Sequence, residues 1–239
     1  MKKSLAFSLI IAFMLVMGAC SKDGHRCIKG KGSIVSRDFS IQPFDRFSYF
    51  GSGDIYITQG AATTMRIEGQ QNILEELDID NTGGELRIGK NNCFRGHKDI
   101  TIHITTPSLI SVSLSGSSTL RGIGTFESTS FQASISGSGD ADLNIFTEHL
   151  VADISGSGSM RFGGSAGFQH LNISGSGSMH AFALEGEEAD IDVSGSGECE
   201  VNVSQKLKVR ISGSGDVYYK GNPVIESDIS GSGKLVRVN

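Results

Sequence analysis

Carboxylate pairs in this chain have a spacing that could support acid–base chemistry or bind a cation. Asp140 and Asp142, like Glu198 and Glu200, are two residues apart, so in a strand both members of a pair lie on one face. Glycosidases use two carboxylates about 5–10 Å apart, and calcium sites gather oxygen ligands. A repeat protein also places polar groups outside its core without any catalytic purpose. We therefore predict no catalytic residue, no metal site and no cofactor, with weak calcium binding by either pair as the alternative.

Serine hydroxyls form a second candidate surface. The tetrapeptide Ser-Gly-Ser-Gly begins at Ser136, Ser155, Ser174, Ser194, Ser212 and Ser230. Its serines are predicted to point outward, where their hydroxyls could hydrogen-bond a glycan or a protein. The alternative is a soluble wall of small residues that tolerates tight stacking. The candidate binding face consists of Ser136, Ser138, Ser155, Ser157, Ser174, Ser176, Ser194, Ser196, Ser212 and Ser214.

The repeat itself predicts the strands that position these residues. The motif and its near-copy at Ser115 recur at intervals of 18–21 residues. An apolar residue precedes each copy, and further apolar residues follow with period two, which is typical of strands. The preceding residues are Leu114, Ile135, Ile154, Ile173, Val193, Ile211 and Ile229. Each interval is then one coil, with equivalent residues stacked about 4.8 Å apart.

The fold class is therefore predicted to be all-β, a right-handed parallel β-helix, or solenoid, with about 18–21 residues per coil. The glycines of the motif are expected to face inward, where they let the wall bend or make room for Phe131, Phe146 or Phe182. An antiparallel sandwich is the rival architecture, but its hairpins need turn signals every 8–12 residues.

One β-helix domain is predicted over 36–239, with regular coils over 115–239 and irregular coils over 36–114. An earlier Gly51-Ser52-Gly53 leaves room for about three further coils before the regular ones. The last coil has no evident cap, and an open strand edge invites self-association, so a homo-oligomer is expected.

Composition excludes several classes of protein. The chain has 239 residues, of which 38% are hydrophobic, and this is enough apolar surface to argue against disorder. With 32 Gly but only 3 Pro, and no Gly at every third residue, it is not collagen. The formal charge of -5 argues against nucleic-acid binding.

Residues 1–19 have the pattern of a bacterial lipoprotein signal peptide. Lys2 and Lys3 precede an apolar stretch that is too short to span a membrane, and small residues lead to Cys20. Cys20 is predicted to be lipidated and to hold the protein to the membrane, with 20–35 as a tether. An ordinary secretory signal is the alternative.

Two further cysteines can form a disulfide. Cys27 and Cys93 lie in irregular stretches, and the predicted compartment is oxidising, so they are the favoured pair. The alternative is that both stay free. Cys199 shares its place in the repeat with Met160, Met179 and Val217, so it is expected to be a core residue.

These features together resemble the putative auto-transporter adhesin, head GIN domain family, of Bacteroidetes-type envelope lipoproteins. The matching segments are Phe44–Phe47, Gly51–Gly60, Gly84–Ile88, Ile100–Leu109 and the Ser-Gly-Ser-Gly run. The resemblance implies a right-handed β-helix at the cell envelope and supplies no catalytic residues.

We expect a non-enzymatic, lipid-anchored outer-membrane protein that binds a surface glycan or protein, on the cell surface rather than the periplasmic face. A periplasmic structural lipoprotein is the first alternative, and a polysaccharide-active β-helix enzyme is the second.

Overall fold

The computed structural model describes residues 27–238, so the predicted signal peptide and Cys20 lie outside the described residues. The architecture is a β-solenoid of about seven stacked parallel turns, with 75% strand and 2% helix. The predicted all-β solenoid is confirmed. Within these residues no helix is long and apolar enough to cross a membrane.

The chain enters the fold through an irregular N-terminal part. Its elements are β1 Ile28–Lys29, β2 Ile34–Phe39, β3 Arg46–Gln59, β4 Thr64–Gln70, α1 Gln71–Leu74, β5 Leu77–Thr82, β6 Glu85–Lys90, β7 Phe94–Arg95 and β8 Thr101–Thr106. The stacked coils follow. Their strands are β9 Ser111–Ile123, β10 Phe126–Gly137, β11 Asp140–Gly156, β12 Ser159–Gly175, β13 Ser178–Gly195, β14 Glu198–Gly213, β15 Asp216–Lys220, β16 Val224–Gly231 and β17 Lys234–Arg237.

The core consists of apolar columns that run along the solenoid. Ile135, Ile154 and Ile173 are direct partners on neighbouring parallel strands, and each is at most 2% exposed. A second column after the bend contains Leu120, Ala141, Met160, Met179, Cys199 and Val217, all buried. The predicted coil length and inward positions are therefore confirmed.

The Ser-Gly-Ser-Gly motif forms a bend between consecutive strands. One strand ends at the first glycine and the next begins just after the second, as at Gly137 and Asp140. The first glycine of each copy has a φ of 120–131°. A Cβ there would lie 2.1–2.5 Å from the carbonyl oxygen of the equivalent glycine one coil earlier. That oxygen accepts a hydrogen bond from the next coil, as in Ser157 N–H to Gly137 O at 2.8 Å.

The expectation that these glycines make room for phenylalanines is wrong. The groups in close contact are the backbone and the stacked isoleucine of the preceding coil, since a Cβ on Gly158 would meet Gly139 O and Ile135 Cγ2. Phe146 is 47% exposed, and Phe182 is only half-buried. Glycine is needed because parallel coils are only about 4.8 Å apart.

Parallel and antiparallel pairs are mixed over 36–114, where irregular coils are expected. Strand β3 pairs in parallel with β9 on one edge and with β6 and β8 on the other. Strand β4 pairs antiparallel with β8 and β2, and β5 pairs antiparallel with β6. Gly83 and Gly84, both with positive φ, form the turn that reverses the chain before β6. The solenoid therefore begins with a cap, β2–β8, in which β3 lies between later segments.

The N-terminal segment is attached to this cap from Cys27 onward. Cys27 and Cys93 are joined by a disulfide, and β1 pairs with β7 beside it. Strand β2 then pairs with β4. The part of the expected 20–35 tether that the structure describes is thus held against the domain.

The opposite end exposes apolar side chains. Val224 is 75% exposed, and Ile225 and Ile229 are also exposed. Within residues 27–238, β16 pairs with β14 alone and β17 with β15 alone, so each leaves one edge open. Self-association through this coil stays a prediction.

We predict that Gly175→Ala lowers the free energy of unfolding by about 2 kcal/mol or more. Gly175 has a φ of 124°, and its Cβ would lie 2.4 Å from Gly156 O. Gly89→Ala is the matched control, because a Cβ there meets nothing within 4 Å. Denaturant unfolding measures both, and equal losses for the two variants would contradict this account of the bend.

The Cys199 thiol is predicted to be unreactive in the folded protein. It is fully buried, and burial, with the charges of Glu200 and Glu198, raises its pKa, so the reactive thiolate is disfavoured. Iodoacetamide at pH 8 followed by peptide mass mapping should label Cys199 only after unfolding. Rapid labelling of the native protein would show that the reagent reaches the buried column that contains Cys199.

Candidate binding surface

The ten predicted serines form an exposed edge along the bends. All ten are exposed, and the first serines of the motif in neighbouring coils are direct partners, as Ser136 is with Ser155. Within residues 27–238 none of their side chains hydrogen-bonds another protein group, whereas Ser134 donates to Ser113 at 3.0 Å. The hydroxyls therefore face solvent from a ridge between two faces.

A second surface runs down the face that follows the bend. One outward side chain from each of eleven strands stands opposite its neighbour, and together they form what we name the central column. Its members, in spatial order, are Asp38, Arg66, His103, Tyr56, Arg121, Asp142, Arg161, His180, Glu200, Tyr218 and Val236. None of them is buried.

Aromatic and charged groups meet at the cap end of the central column. The rings of Tyr56 and His103 are stacked, with centroids 5.2 Å apart and planes 10° apart. The Arg121 guanidinium lies 5.9 Å from the Tyr56 ring centroid, within the range of a cation–π contact. Beyond His103, Arg66 donates two hydrogen bonds to the Asp38 carboxylate, at 2.7 and 3.2 Å. The first of these lowers the pKa of Asp38, so its charge persists in mild acid.

An open groove of about 750 Å³ adjoins this group. Asp38, Arg66 and His103 line it, and so do the hydroxyl-bearing Thr58, Thr64 and Thr105. The groove therefore offers a carboxylate, a guanidinium, an imidazole and several hydroxyls on a firm sheet. Such a set hydrogen-bonds a polar ligand from several directions.

Carboxylates concentrate at the other end of the central column. His180 Nδ1 lies 2.9 Å from Glu200 Oε2, and Glu198 lies two residues before Glu200 on the same face. Asp216 and Tyr218 are the partners of Glu198 and Glu200 on the next strand. The Asp216 carboxylate, with a smaller contribution from Glu198, raises the pKa of the Tyr218 phenol. This end therefore carries a negative potential.

The outward column before the bend is paired within itself. Asn172 donates to Asp153 at 2.8 Å, and Arg210 forms a bidentate pair with Asp192. These groups stabilise neighbouring coils and leave less free hydrogen-bonding capacity for a ligand than the central column does.

The recurrence of the motif predicts only those members of the central column that lie in the regular coils. Asp142, Arg161, His180, Glu200 and Tyr218 share one offset after the motif. Asp38, Arg66, His103 and Tyr56 were missed as column members because antiparallel and out-of-order strands bring them there. The alternation in 54–58 and 100–104 was the available signal, since it places Tyr56 and His103 outward.

Comparisons with known proteins agree with this architecture. A structure described as a "putative adhesin" from Bacteroides fragilis has 22% identity, covers 88% of this chain and 100% of its own, and has a TM-score of 0.82. A "putative lipid binding protein" from Parabacteroides distasonis has 24% identity, covers 90% and 100%, and has a TM-score of 0.76. At these identities the likeness establishes the fold alone. No curated protein matches the chain.

The family comparison covers most of the solenoid. The model described as "Putative auto-transporter adhesin, head GIN domain" matches residues 43–223, from the cap to the strands around β15. Because this match spans more than half of the chain, the protein belongs to that adhesin-type head GIN domain family.

Proposed function

We propose that the protein is a lipid-anchored, non-catalytic adhesion module of the cell envelope that binds a glycan on the central column, at the groove beside Tyr56 and His103. The stacked Tyr56–His103 pair is the observation that carries this proposal. Family membership supports an adhesin-like role at the envelope, and the binding groups supply the ligand class.

The chemistry of the groove favours a glycan over an apolar ligand. A sugar ring presents apolar C–H groups on its faces and hydroxyls around its edge. The His103 ring, with Tyr56 stacked against it, can contact the apolar C–H groups, while Asp38, Arg66 and the threonines can hydrogen-bond the edge. One solved relative is named a lipid binding protein, but the lining here is rich in polar groups.

A long column of mainly polar groups suits an extended ligand. Each rung contributes a small binding energy, and successive rungs are about 4.8 Å apart on a rigid sheet. A polymer that contacts several rungs at once gains avidity without a deep pocket. The exposed serine edge, Ser136 to Ser214, is a secondary surface that such a ligand, or a protein, could also contact.

Anchoring in this proposal depends on residues outside the described range. Cleavage after residue 19 and lipidation of Cys20 would hold the domain at the outer membrane, with the solenoid facing outward. The periplasmic structural lipoprotein is the alternative. The acidic balance of the chain gives no support to a nucleic-acid partner.

We predict that Tyr56→Ala weakens glycan binding about 10-fold, because it removes the stacked ring. Tyr218→Ala is the matched control, since Tyr218 belongs to the same column but lies far from the groove. A glycan array of envelope and mucin-type sugars identifies a ligand, and calorimetry then compares the variants. Equal losses in both variants, or no ligand on the array, would contradict binding at the groove.

If the protein is displayed on the cell surface, protease added to intact cells should remove the domain, as it does in lysed cells. Cys20→Ala should release the protein from the membrane fraction, because the lipid is its only proposed anchor. A periplasmic soluble protein is the control for intact cells. Protection of the domain until lysis would overturn surface adhesion and favour the periplasmic alternative.

A further inference from the structure

We propose that His180, Glu198 and Glu200 form a binding site for a divalent transition-metal ion, with Zn²⁺ as the best match. This site lies on β13 and β14, at the opposite end of the central column from the groove. It is independent of the proposed glycan binding.

The three side chains already lie at distances that suit one ion. Their ligand atoms are all within 4.8 Å of one another. His180 Nδ1 and Glu200 Oε2 are 2.9 Å apart. Two ligands that are each about 2.0–2.2 Å from a tetrahedral Zn²⁺ stand roughly 3.3–3.6 Å from one another, so these two atoms need to move apart by only about 0.5 Å. An ion can therefore lie between the imidazole and the carboxylate, and a change in the Glu198 rotamer supplies a third ligand.

The sheet holds these ligands in place. Glu198 and Glu200 are alternate residues of one strand, and His180 is the direct partner of Glu200 on the neighbouring strand. The side chains of His180 and Glu200 are only 27% and 24% exposed. Directly beneath them, Met179 and Cys199 are fully buried in the core. His180 and Glu200 therefore lose little conformational freedom when an ion binds.

The local charge also favours a cation. Among the described residues, Glu198 forms no ion pair, and Glu200 pairs with His180 alone. Asp216 adds a third carboxylate on the next strand, opposite Glu198, and two cations border the group, Arg161 beside His180 and Lys234 beside Asp216. A bound divalent ion would offset the repulsion among the carboxylates.

A comparison of the two carboxylate pairs explains why Zn²⁺ is the expected ion and why the site lies on β13 and β14. Asp140 and Asp142 occupy the places of Glu198 and Glu200 on β11, but the partners of Asp142 are Arg121 and Arg161. Arginine lies on both sides of Asp142 and cannot bind a metal, whereas Arg161 borders the later site only on the side of His180. Only the later pair faces a histidine, whose nitrogen favours Zn²⁺ over Ca²⁺, since calcium sites use oxygen ligands.

The test is titration of the purified, tag-free protein with ZnCl₂, followed by calorimetry and by metal analysis after dialysis. We expect one equivalent of Zn²⁺ to bind, and His180→Ala and Glu198→Gln each to weaken binding at least about 10-fold. Asp142→Asn is the matched control and should leave the affinity unchanged. Titration with Co²⁺ should give visible absorption bands that His180→Ala removes.

Circular dichroism of each variant shows whether it is folded, and Glu200→Gln replaces any variant that is not. Absence of Zn²⁺ binding to the folded protein would overturn the site. So would binding that His180→Ala leaves unchanged, because the ion would then lie elsewhere. Loss of Zn²⁺ binding in Asp142→Asn would equally contradict the assignment to β13 and β14.

Discussion

The spacing between parallel coils is the constraint on which the rest of this molecule depends. At the bend, the backbones of successive coils approach so closely that a Cβ would overlap the carbonyl oxygen of the coil before it. Only glycine permits the hydrogen bond that joins Gly137 O to Ser157 N. Because this contact recurs in every regular coil, it keeps the strands beside each bend in a common register, while register shifts away from the bend, as between β13 and β14, accommodate coils of different length.

That common register converts sequence offsets into straight columns of side chains. Inward columns are filled by Leu, Ile, Val, Met, Ala and Cys199, and they stabilise the stack by burying apolar area. Outward columns have no such restriction, so their chemistry varies from coil to coil. In the central column this variation places an aromatic group at one end and a cluster of carboxylates with His180 at the other. The two proposed sites therefore lie on one continuous face.

Much of this arrangement could be predicted from the repeat in the sequence. Coil length, inward positions and outward serines follow from the recurrence of Ser136-Gly137 and its copies. The cap could not be predicted in the same way. Strand β3 pairs with residues that lie 39–65 positions later, and no local pattern in 36–114 encodes that order. For this reason the alternation around Tyr56 and around His103 predicts a strand at each, but it does not predict that their rings stack.

Coils that contact only their nearest neighbours have an evolutionary consequence. Duplication or loss of one stretch of 18–21 residues within the regular region would add or remove a single rung while leaving the cap and its disulfide intact. The length of the central column can thus change by one coil at a time when a repeat is duplicated or deleted. The strands of the cap pair out of sequence order, so no single segment can be added or removed there. Variation in length among related genes should therefore fall on the C-terminal side of β9.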